Sequence, residues 1–213
     1  MNRTDEMRFL IADDHAIVRK GIRQILSDEF PNVILDEVAN GNDLLENIRV
    51  QKYSVIILDI SMPGRNGLDI LKQMKTNENE TPVLILSMHP EDQYAIRVLK
   101  AGASGFLSKD IAADELVNAV KKLLSGRKYI TESIAEKLVG VDLSRTKEQH
   151  ETLSDREFEV LKLIASGKTV TEIAALLSLS VATVSTYRTR ILDKMHFRNN
   201  AELIHYVITQ GLV

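Results

Sequence analysis

The first 127 residues alternate short apolar runs with amphipathic segments, and this alternation restricts the possible folds more than any other feature. The run 55–58 is continuously apolar, as a strand must be when helices cover both of its faces. Five strands that alternate with helices predict a parallel sheet with helices on both sides, and right-handed crossovers make it doubly wound. The predicted strands are 9–12, 33–35, 55–58, 83–86 and 105–107.

The segments between these runs have the apolar spacing of helices. The first predicted helix spans 17–26, and the apolar residues expected on its core face are Ile17, Val18, Ile22, Ile25 and Leu26. The last helix of the series ends near Arg127. We therefore predict an α/β first domain over residues 1–128.

After residue 152 the pattern becomes purely helical, which predicts an all-α second domain over residues 152–213. Ser154 and Glu157 have the spacing of a capping box at the start of a helix. A short helix is expected from Thr171 through Leu177, a longer one from an N-cap at Ser180 to about residue 195, and a last one from about residue 200. Residues 129–151 are predicted to be the linker, because 141–151 has many charges and few apolar groups; within it, 133–139 can be helical.

Composition limits the chemistry that this chain can perform. It has 213 residues, a formal net charge of −3 and no cysteine, which excludes disulfides, thiolate metal sites and thiol catalysis. No apolar run approaches the roughly 20 residues of a membrane span, and no secretory signal opens the sequence. We expect a cytoplasmic protein with no membrane partner.

Polar residues follow four of the predicted strands. Asp13 and Asp14 follow the first, Asp59 the third, Ser87 the fourth and Lys109 the fifth. In a doubly wound sheet, ligands bind outside the carboxyl ends of the strands, where the strand order reverses. Taken singly, an Asp after a strand is usually a cap or a turn former, and a loop Lys is usually solvated. Taken together, the residues predict a convergent cluster.

Three carboxylates in one cleft repel each other, so a hard cation is expected among them, and oxygen ligands suit Mg²⁺. Asp59 is the expected nucleophile and would form an acyl phosphate. Lys109 would supply positive charge to the phosphoryl group, and Ser87 a hydroxyl donor.

The same residues lie in motifs of a known family. Ile-Ala-Asp-Asp-His at 11–15, Ile-Leu-Asp-Ile-Ser-Met-Pro-Gly at 57–64, Leu-Ser at 86–87 and Gly-Ala-Ser-Gly-Phe-Leu-Ser-Lys at 102–109 resemble the receiver domains of NarL/FixJ response regulators. The resemblance implies that Asp59 accepts a phosphoryl group from a phospho-histidine of a sensor kinase. It implies that Asp13, Asp14 and Asp59 bind Mg²⁺, with the backbone carbonyl of Ser61 as a further ligand.

The resemblance also implies a switch. Ser87 and Phe106 occupy the switch positions of the family, and Phe106 lacks the hydroxyl of the Tyr that many receivers carry, so its packing would report the phosphorylation state. Phe106 can equally be an ordinary core-strand residue. We expect His15 to be an exposed loop residue that carries no phosphate, and Gly64 and Gly67 to serve the turn.

The second domain has a short helix, a turn and a longer helix, which is helix-turn-helix geometry. Its longer helix is expected to turn Val184, Tyr187, Ile191 and Met195 inward and to expose Ser185, Thr186, Thr189 and Arg190. Arg188, Arg190, Lys194 and Arg198 are opposed by a single acidic residue in this segment, Asp193. An amphipathic helix with a solvated charged face is the simpler alternative.

Segments 153–161, 164–168, 172–174 and 179–188 resemble the LuxR-type helix-turn-helix. Ser185 and Tyr187 stand where many members have Lys and His, and Arg188 stands where an apolar residue is common. Arg188, Arg190 and Lys194 are expected near one another on a basic side that meets phosphates. The DNA-contacting candidates are Thr183, Ser185, Thr186, Arg188, Thr189, Arg190 and Lys194.

The sequence therefore predicts a response regulator in which phosphorylation controls dimerisation and sequence-specific DNA binding, with no enzymatic role in the usual sense. The expected partners are DNA, a sensor histidine kinase and a second copy on activation, and RNA polymerase is a further candidate. One alternative is a phosphohydrolase with an aspartyl-phosphate, although such enzymes often carry a second carboxylate where this chain has Ser61. Another is a second domain that binds only protein.

Overall fold

The computed structural model describes residues 7–62, 67–88, 91–110, 113–140 and 149–212, without the side chains of 91–94, 137–140, 151 and 155. The chain forms two compact units, Met1–Gly140 and Val141–Val213. Pro63 and Gly64 of the third predicted motif, and residues 141–148 of the predicted linker, lie outside the described residues.

The first unit contains a five-stranded parallel sheet, which confirms the predicted fold class. Its strands are β1 (Arg8–Ala12), β2 (Ile34–Val38), β3 (Val55–Asp59), β4 (Val83–Ser87) and β5 (Gly105–Ser108). The strand order is β2-β1-β3-β4-β5, and every neighbouring pair is parallel. All five residues of both β3 and β4 are buried, as expected for strands covered on both faces.

Helices cover both faces of this sheet. They are α1 (Ala16–Glu29), α2 (Gly41–Val50), α3 (Gly67–Thr76), α4 (Glu91–Ala101), α5 (Ala113–Leu124) and α6 (Glu132–Gly140). Residues of α1 and α5, among them Leu26 and Val120, pack on one face of the sheet in a common core with Phe9 and Ile57.

Two details of the predicted elements are corrected. The second strand extends to Val38 rather than ending at residue 35, because Asp36 and Glu37 form ion pairs with arginines and so can lie within a strand. Ile17 does not face the core: its exposure is 86%, whereas Ile22 and Leu26 are buried. At 100° per residue, Ile17 lies half a turn away from Leu26.

Residues 129–140 pack on the first unit rather than forming part of a linker. Tyr129 forms an isolated bridge with Gly105 of β5, and both Tyr129 and Ile134 are buried. Helix α6 lies against α4. The charged stretch that indicated a linker is 141–151, whereas 129–140 contributes the buried side chains of Tyr129 and Ile134 to the first unit.

The second unit is helical. Its elements are a short 3₁₀ helix (Gln149–Thr152), α7 (Asp155–Ala165), α8 (Val170–Leu177), α9 (Val181–Met195) and α10 (Asn200–Thr209). Ser154 and Glu157 form the predicted capping box of α7, and Thr169 with Glu172 forms a second one that starts α8 earlier than expected. Helices α8 and α9 meet at 112°, the geometry of a helix-turn-helix pair.

Within the described ranges, no single helix is long and apolar enough to span a membrane; α8 and α9 reach that length and composition only as a bent pair.

Candidate functional sites

An acidic cluster lies at the carboxyl ends of β1 and β3, the two strands between which the sheet order reverses. Asp59 is the last residue of β3, and Asp13 and Asp14 directly follow β1. One potential ligand atom from each of Asp13, Asp14, His15 and Asp59 lies within 4.8 Å of the others. The structure thus brings together the three carboxylates that the sequence placed after separate strands.

Lys109 also reaches this cluster. Its Nζ lies 2.6 Å from Oδ2 of Asp13 and 2.8 Å from Oδ2 of Asp59. The side chain of Lys109 is only 5% exposed, and those of Asp13 and Asp59 are 1% and 2% exposed. The backbone of Lys109 is fixed as well, because its N–H donates to the carbonyl of Ser87 at 2.8 Å. One cation therefore bridges two buried carboxylates.

The charge balance of this cluster shifts the ionisation of its members. Burial raises the pKa of Asp59 above its ordinary value, although the hydrogen bond and the charge of Lys109 oppose that rise. Burial alone would lower the pKa of Lys109, but its contacts with Asp13 and Asp59 outweigh burial and raise it. Burial thus accounts for the shift of the Asp59 pKa, and the contacts with two carboxylates account for the shift of the Lys109 pKa.

Three carboxylate oxygens of the cluster fit a bound cation. Oδ2 of Asp13 and Oδ2 of Asp59 are buried and share the ammonium of Lys109, and Oδ1 of Asp14 is buried beside Nδ1 of His15. One ammonium does not balance three carboxylates, and a hard divalent cation with oxygen ligands would offset the remaining negative charge.

His15 lies at the outer edge of the cluster. It is exposed, as expected, but it also contacts the carboxylates. Its side chain is 65% exposed, yet Nδ1 lies 2.9 Å from Oδ1 of Asp14 and 3.3 Å from Oδ1 of Asp13. Its backbone N–H also donates to Oδ1 of Asp13 at 2.8 Å. This contact was not predicted, although an Asp side chain commonly binds the backbone N–H two residues later in a tight turn.

The remaining receiver candidates lie near the cluster or in the core behind it. The backbone N–H of Ser61 donates to Oδ1 of Asp59 at 3.1 Å, which places Ser61 beside the cluster. Ser87 ends β4, and Phe106 lies in β5; both are fully buried. Ile85 pairs with Phe106 and Ser87 with Ser108, so Ser87 and Phe106 point to the same face of the sheet.

Helix α9 presents a polar face to solvent. Ser185, Thr186, Thr189 and Arg190 are exposed, whereas Val184, Ile191 and Met195 are buried as expected. Tyr187, which was expected to face inward, and Thr183 are half-buried. Ala182, Thr183, Thr186, Tyr187 and Arg190 line an open groove of about 310 Å³ along this face.

The basic residues of α9 do not all share one side of the helix. Arg190 and Lys194 lie one turn apart on the same side, as expected, but Arg188 does not join them, which corrects that part of the grouping. Nε of Arg188 donates to Oδ1 of Asn200, in α10, at 2.7 Å. Nζ of Lys194 donates to Oε2 of Glu157, in α7, at 2.6 Å. Positions 188 and 194 lie about 120° apart around the helix, so each is directed to a different neighbour.

Each of the two units matches a known protein family. The response regulator receiver domain matches residues 9–121, and the luxR family of bacterial regulatory proteins matches residues 151–207. The chain belongs to the NarL/FixJ family of response regulators. It is 34% identical to the response regulator UvrY of Escherichia coli K12 over 205 residues, which cover 95% of this chain and 94% of UvrY. It is 34% identical to the oxygen regulatory protein NreC of Staphylococcus carnosus over 215 residues, covering 97% and 99% of the two chains.

Solved structures of the family resemble the whole chain of this response regulator. RcsB of Salmonella enterica serovar Typhimurium, bound to promoter rprA in the presence of phosphomimetic BeF₃⁻, is 30% identical, with a TM-score of 0.64 and coverage of 94% of this chain and 98% of that one. A structure of two RcsB dimers bound to two parallel DNAs is 31% identical, with a TM-score of 0.59 and coverage of 95% and 98%. The chain is thus a two-component response regulator that binds DNA to regulate transcription.

Proposed function

We propose that phosphorylation of Asp59 controls the DNA binding of this response regulator. The observation that carries the proposal is the position of Asp59: a buried carboxylate at the end of β3, 2.8 Å from the buried ammonium of Lys109, at the reversal point of the sheet. A carboxylate beside a fixed cation can act as a nucleophile toward phosphorus, because the cation offsets the charge of the incoming phosphoryl oxygens.

The proposed chemistry is transfer from a phospho-histidine of a sensor kinase. An oxygen of Asp59 forms a bond to phosphorus, the phosphorus–nitrogen bond to the kinase imidazole breaks, and that nitrogen leaves with its electron pair. Lys109 stabilises the phosphoryl oxygens, and the hydroxyl of Ser87 donates to one of them. Water later hydrolyses the acyl phosphate, so the chain is a phosphorylated regulator and not an enzyme in the usual sense.

We assign the cation site to Mg²⁺, held by Asp13, Asp14, Asp59 and the backbone carbonyl of Ser61. The convergence of the three carboxylates, each with a ligand atom within 4.8 Å of the others, supports this assignment. Bound Mg²⁺ would supply positive charge that reduces the repulsion between an incoming phosphoryl group and the three carboxylates.

The proposed output is a homodimer on two DNA half-sites in the cytoplasm. Ser87 and Phe106 would repack when Asp59 is phosphorylated, and α9 would enter the major groove with its exposed polar face. The structures of RcsB dimers on DNA support both partners. RNA polymerase is a further proposed partner.

Incubation of the full chain with acetyl phosphate and Mg²⁺ tests the assignment, with intact mass as the measurement. We expect one added phosphoryl group on the wild type and on Asp28→Asn, an exposed control on α1. We expect none on Asp59→Asn, because an amide cannot attack phosphorus. Uptake by Asp59→Asn at the wild-type rate would show that another residue is the acceptor, and sustained release of phosphate from many small phosphomonoesters would favour the phosphohydrolase alternative.

A further inference from the structure

Two arginines of α1, Arg19 and Arg23, share one carboxylate of β2. Nε of Arg19 lies 3.3 Å from Oε2 of Glu37, and Nε of Arg23 contacts Oε1 of the same side chain. The hydrogen bond from Arg23 lowers the pKa of Glu37, with a smaller contribution from Arg19, and these effects outweigh burial. Glu37 therefore stays ionised at neutral pH and holds both guanidinium groups.

The two arginines differ in their second contact. Arg23 donates from its second terminal nitrogen to the backbone carbonyl of Leu35, within β2, at 2.7 Å. Arg19 donates from its first terminal nitrogen to the backbone carbonyl of Asp13 at 2.6 Å. Both side chains tie α1 to β2, but of the two only Arg19 reaches the acidic cluster.

The contact from Arg19 completes the anchoring of the Asp13 main chain. The N–H of Asp13 donates to the carbonyl of Val38, at the end of β2, at 3.2 Å. The carbonyl of Asp13 and the N–H of Asp14 lie in one rigid peptide plane, so a fixed carbonyl also fixes the direction in which Asp14 leaves β1. The guanidinium of Arg19 can fix this carbonyl because it is itself held in place: its side chain is only 17% exposed, and its Nε contacts Glu37.

We propose that Arg19 is a positioning residue of the cation site: clamped by Glu37, it holds the peptide between Asp13 and Asp14 so that both carboxylates face the cation. The inference rests on the proposed cation site. Partners of metal ligands typically change metal affinity by about 10- to 100-fold when they are lost. Arg19 contacts a ligand's backbone and not the ion, so we expect a loss near the lower end of that range.

The direction in which cation affinity changes when Arg19 is removed distinguishes a positioning role from simple charge repulsion. Arg19 carries a positive charge close to a site for a divalent cation, and removing it should tighten cation binding if charge repulsion is all that matters. If Arg19 positions the ligands, its removal should weaken binding despite the lost repulsion. Arg23→Met provides the matched control, because it also removes one positive charge from α1 and one contact with the Glu37 carboxylate, but no contact with Asp13.

The experiment measures Mn²⁺ binding to the full chain by electron paramagnetic resonance of the free ion, at low ionic strength. We expect Arg19→Met to raise the dissociation constant by about tenfold, and Arg23→Met to leave it unchanged or slightly lower. Met retains the aliphatic part of the arginine side chain. Thermal unfolding shows whether each variant is folded, and Arg19→Gln replaces Arg19→Met if the latter does not fold. As a second measurement, the Mg²⁺ concentration for half-maximal phosphorylation by acetyl phosphate should rise in the Arg19 variant, while its rate at saturating Mg²⁺ changes little.

Mn²⁺ binding by a folded Arg19 variant that is as tight as in the wild type, or tighter, would overturn the proposal. The same loss of affinity in Arg23→Met as in Arg19→Met would also overturn it, because the loss would then come from the contact between α1 and β2 in general. Absence of Mn²⁺ binding in the wild type, or unaltered binding in Asp14→Ala, would instead contradict the cation site itself.

Discussion

Nζ of Lys194, in the last turn of α9, lies 2.6 Å from Oε2 of Glu157, the side chain that closes the capping box of α7. The same oxygen accepts a hydrogen bond from the backbone N–H of Ser154 at 2.7 Å. Glu157 is 3% exposed, and its contacts with Lys194 and Ser154 outweigh burial and lower its pKa. Lys194 is therefore a structural residue that joins α9 to α7, and this role competes with the phosphate contact that the sequence predicts for it.

The first prediction is that Lys194→Met destabilises the second unit without changing the salt dependence of DNA binding. Removing one partner of a buried ion pair leaves the other uncompensated; because the Lys194 side chain is 43% exposed, we expect a loss of about 1–3 kcal/mol, below the full cost for a buried pair. Urea unfolding measures the loss, with Lys168→Met as a charge-matched control at an exposed position. A smaller slope of log affinity against log salt in Lys194→Met would instead assign Lys194 to a phosphate.

The second prediction concerns Asp59 and pH. Its pKa is raised by burial above the ordinary 3.8, so the stability it contributes is fully present below its unfolded-state pKa and is lost as the pH rises through the raised folded-state pKa. In the absence of divalent cations, Asp59→Asn should therefore unfold at a higher temperature than the wild type at pH 7. The difference should shrink as the pH falls toward 4, and thermal unfolding across this pH range measures it. An Asp59→Asn variant that is less stable at pH 7 would contradict the shift.

The third prediction is that Arg190 and Thr186, on the exposed face of α9, have different roles in DNA binding. Arg190→Ala should weaken binding to all DNA sequences alike and reduce the salt slope by about 0.9, the value for one phosphate contact. Thr186→Ala should leave the salt slope intact but lose discrimination of about 1 kcal/mol or more at one or two base pairs, because the short Thr186 side chain lines the groove along α9. Competition binding against a randomised operator library at two salt concentrations measures both. Reversed phenotypes would mean that another part of the helix face meets the bases.

The fourth prediction is that phosphorylation promotes dimerisation. The exposed face of α9 offers few reading residues, so one monomer should bind weakly and two half-sites should add affinity. Sedimentation velocity of the full chain, with and without acetyl phosphate and Mg²⁺, should show a shift toward dimer in the wild type and none in Asp59→Asn. A wild-type monomer in both states, also with DNA present, would contradict the prediction.

The hydrophobic pattern and the polar residues after the strands were enough to predict the fold class and the approximate place of the acidic cluster. Short continuously apolar runs such as 55–58, alternating with helical segments, predict covered parallel strands. Parallel strands bring their carboxyl ends to one edge, so Asp13, Asp59 and Lys109 were expected to converge, and they do. The helical period after residue 152 and the capping box at Ser154 located the second unit in the same way. These signals are local in sequence. They predict the folded elements correctly because the hydrophobic pattern sets which face of each element is buried.

The partner of each polar side chain, in contrast, depends on how the helices and strands pack. Arg19 and Glu37 are 18 positions apart, and Glu157 and Lys194 are 37 apart; no period or motif of the sequence links either pair. The sequence grouped Arg188 with Lys194 as charge on one helix, whereas packing directs Arg188 to α10 and Lys194 to α7. Long charged side chains reach several neighbours, and the neighbour they bind depends on how the helices pack and on which carboxylate burial has left in need of a cation.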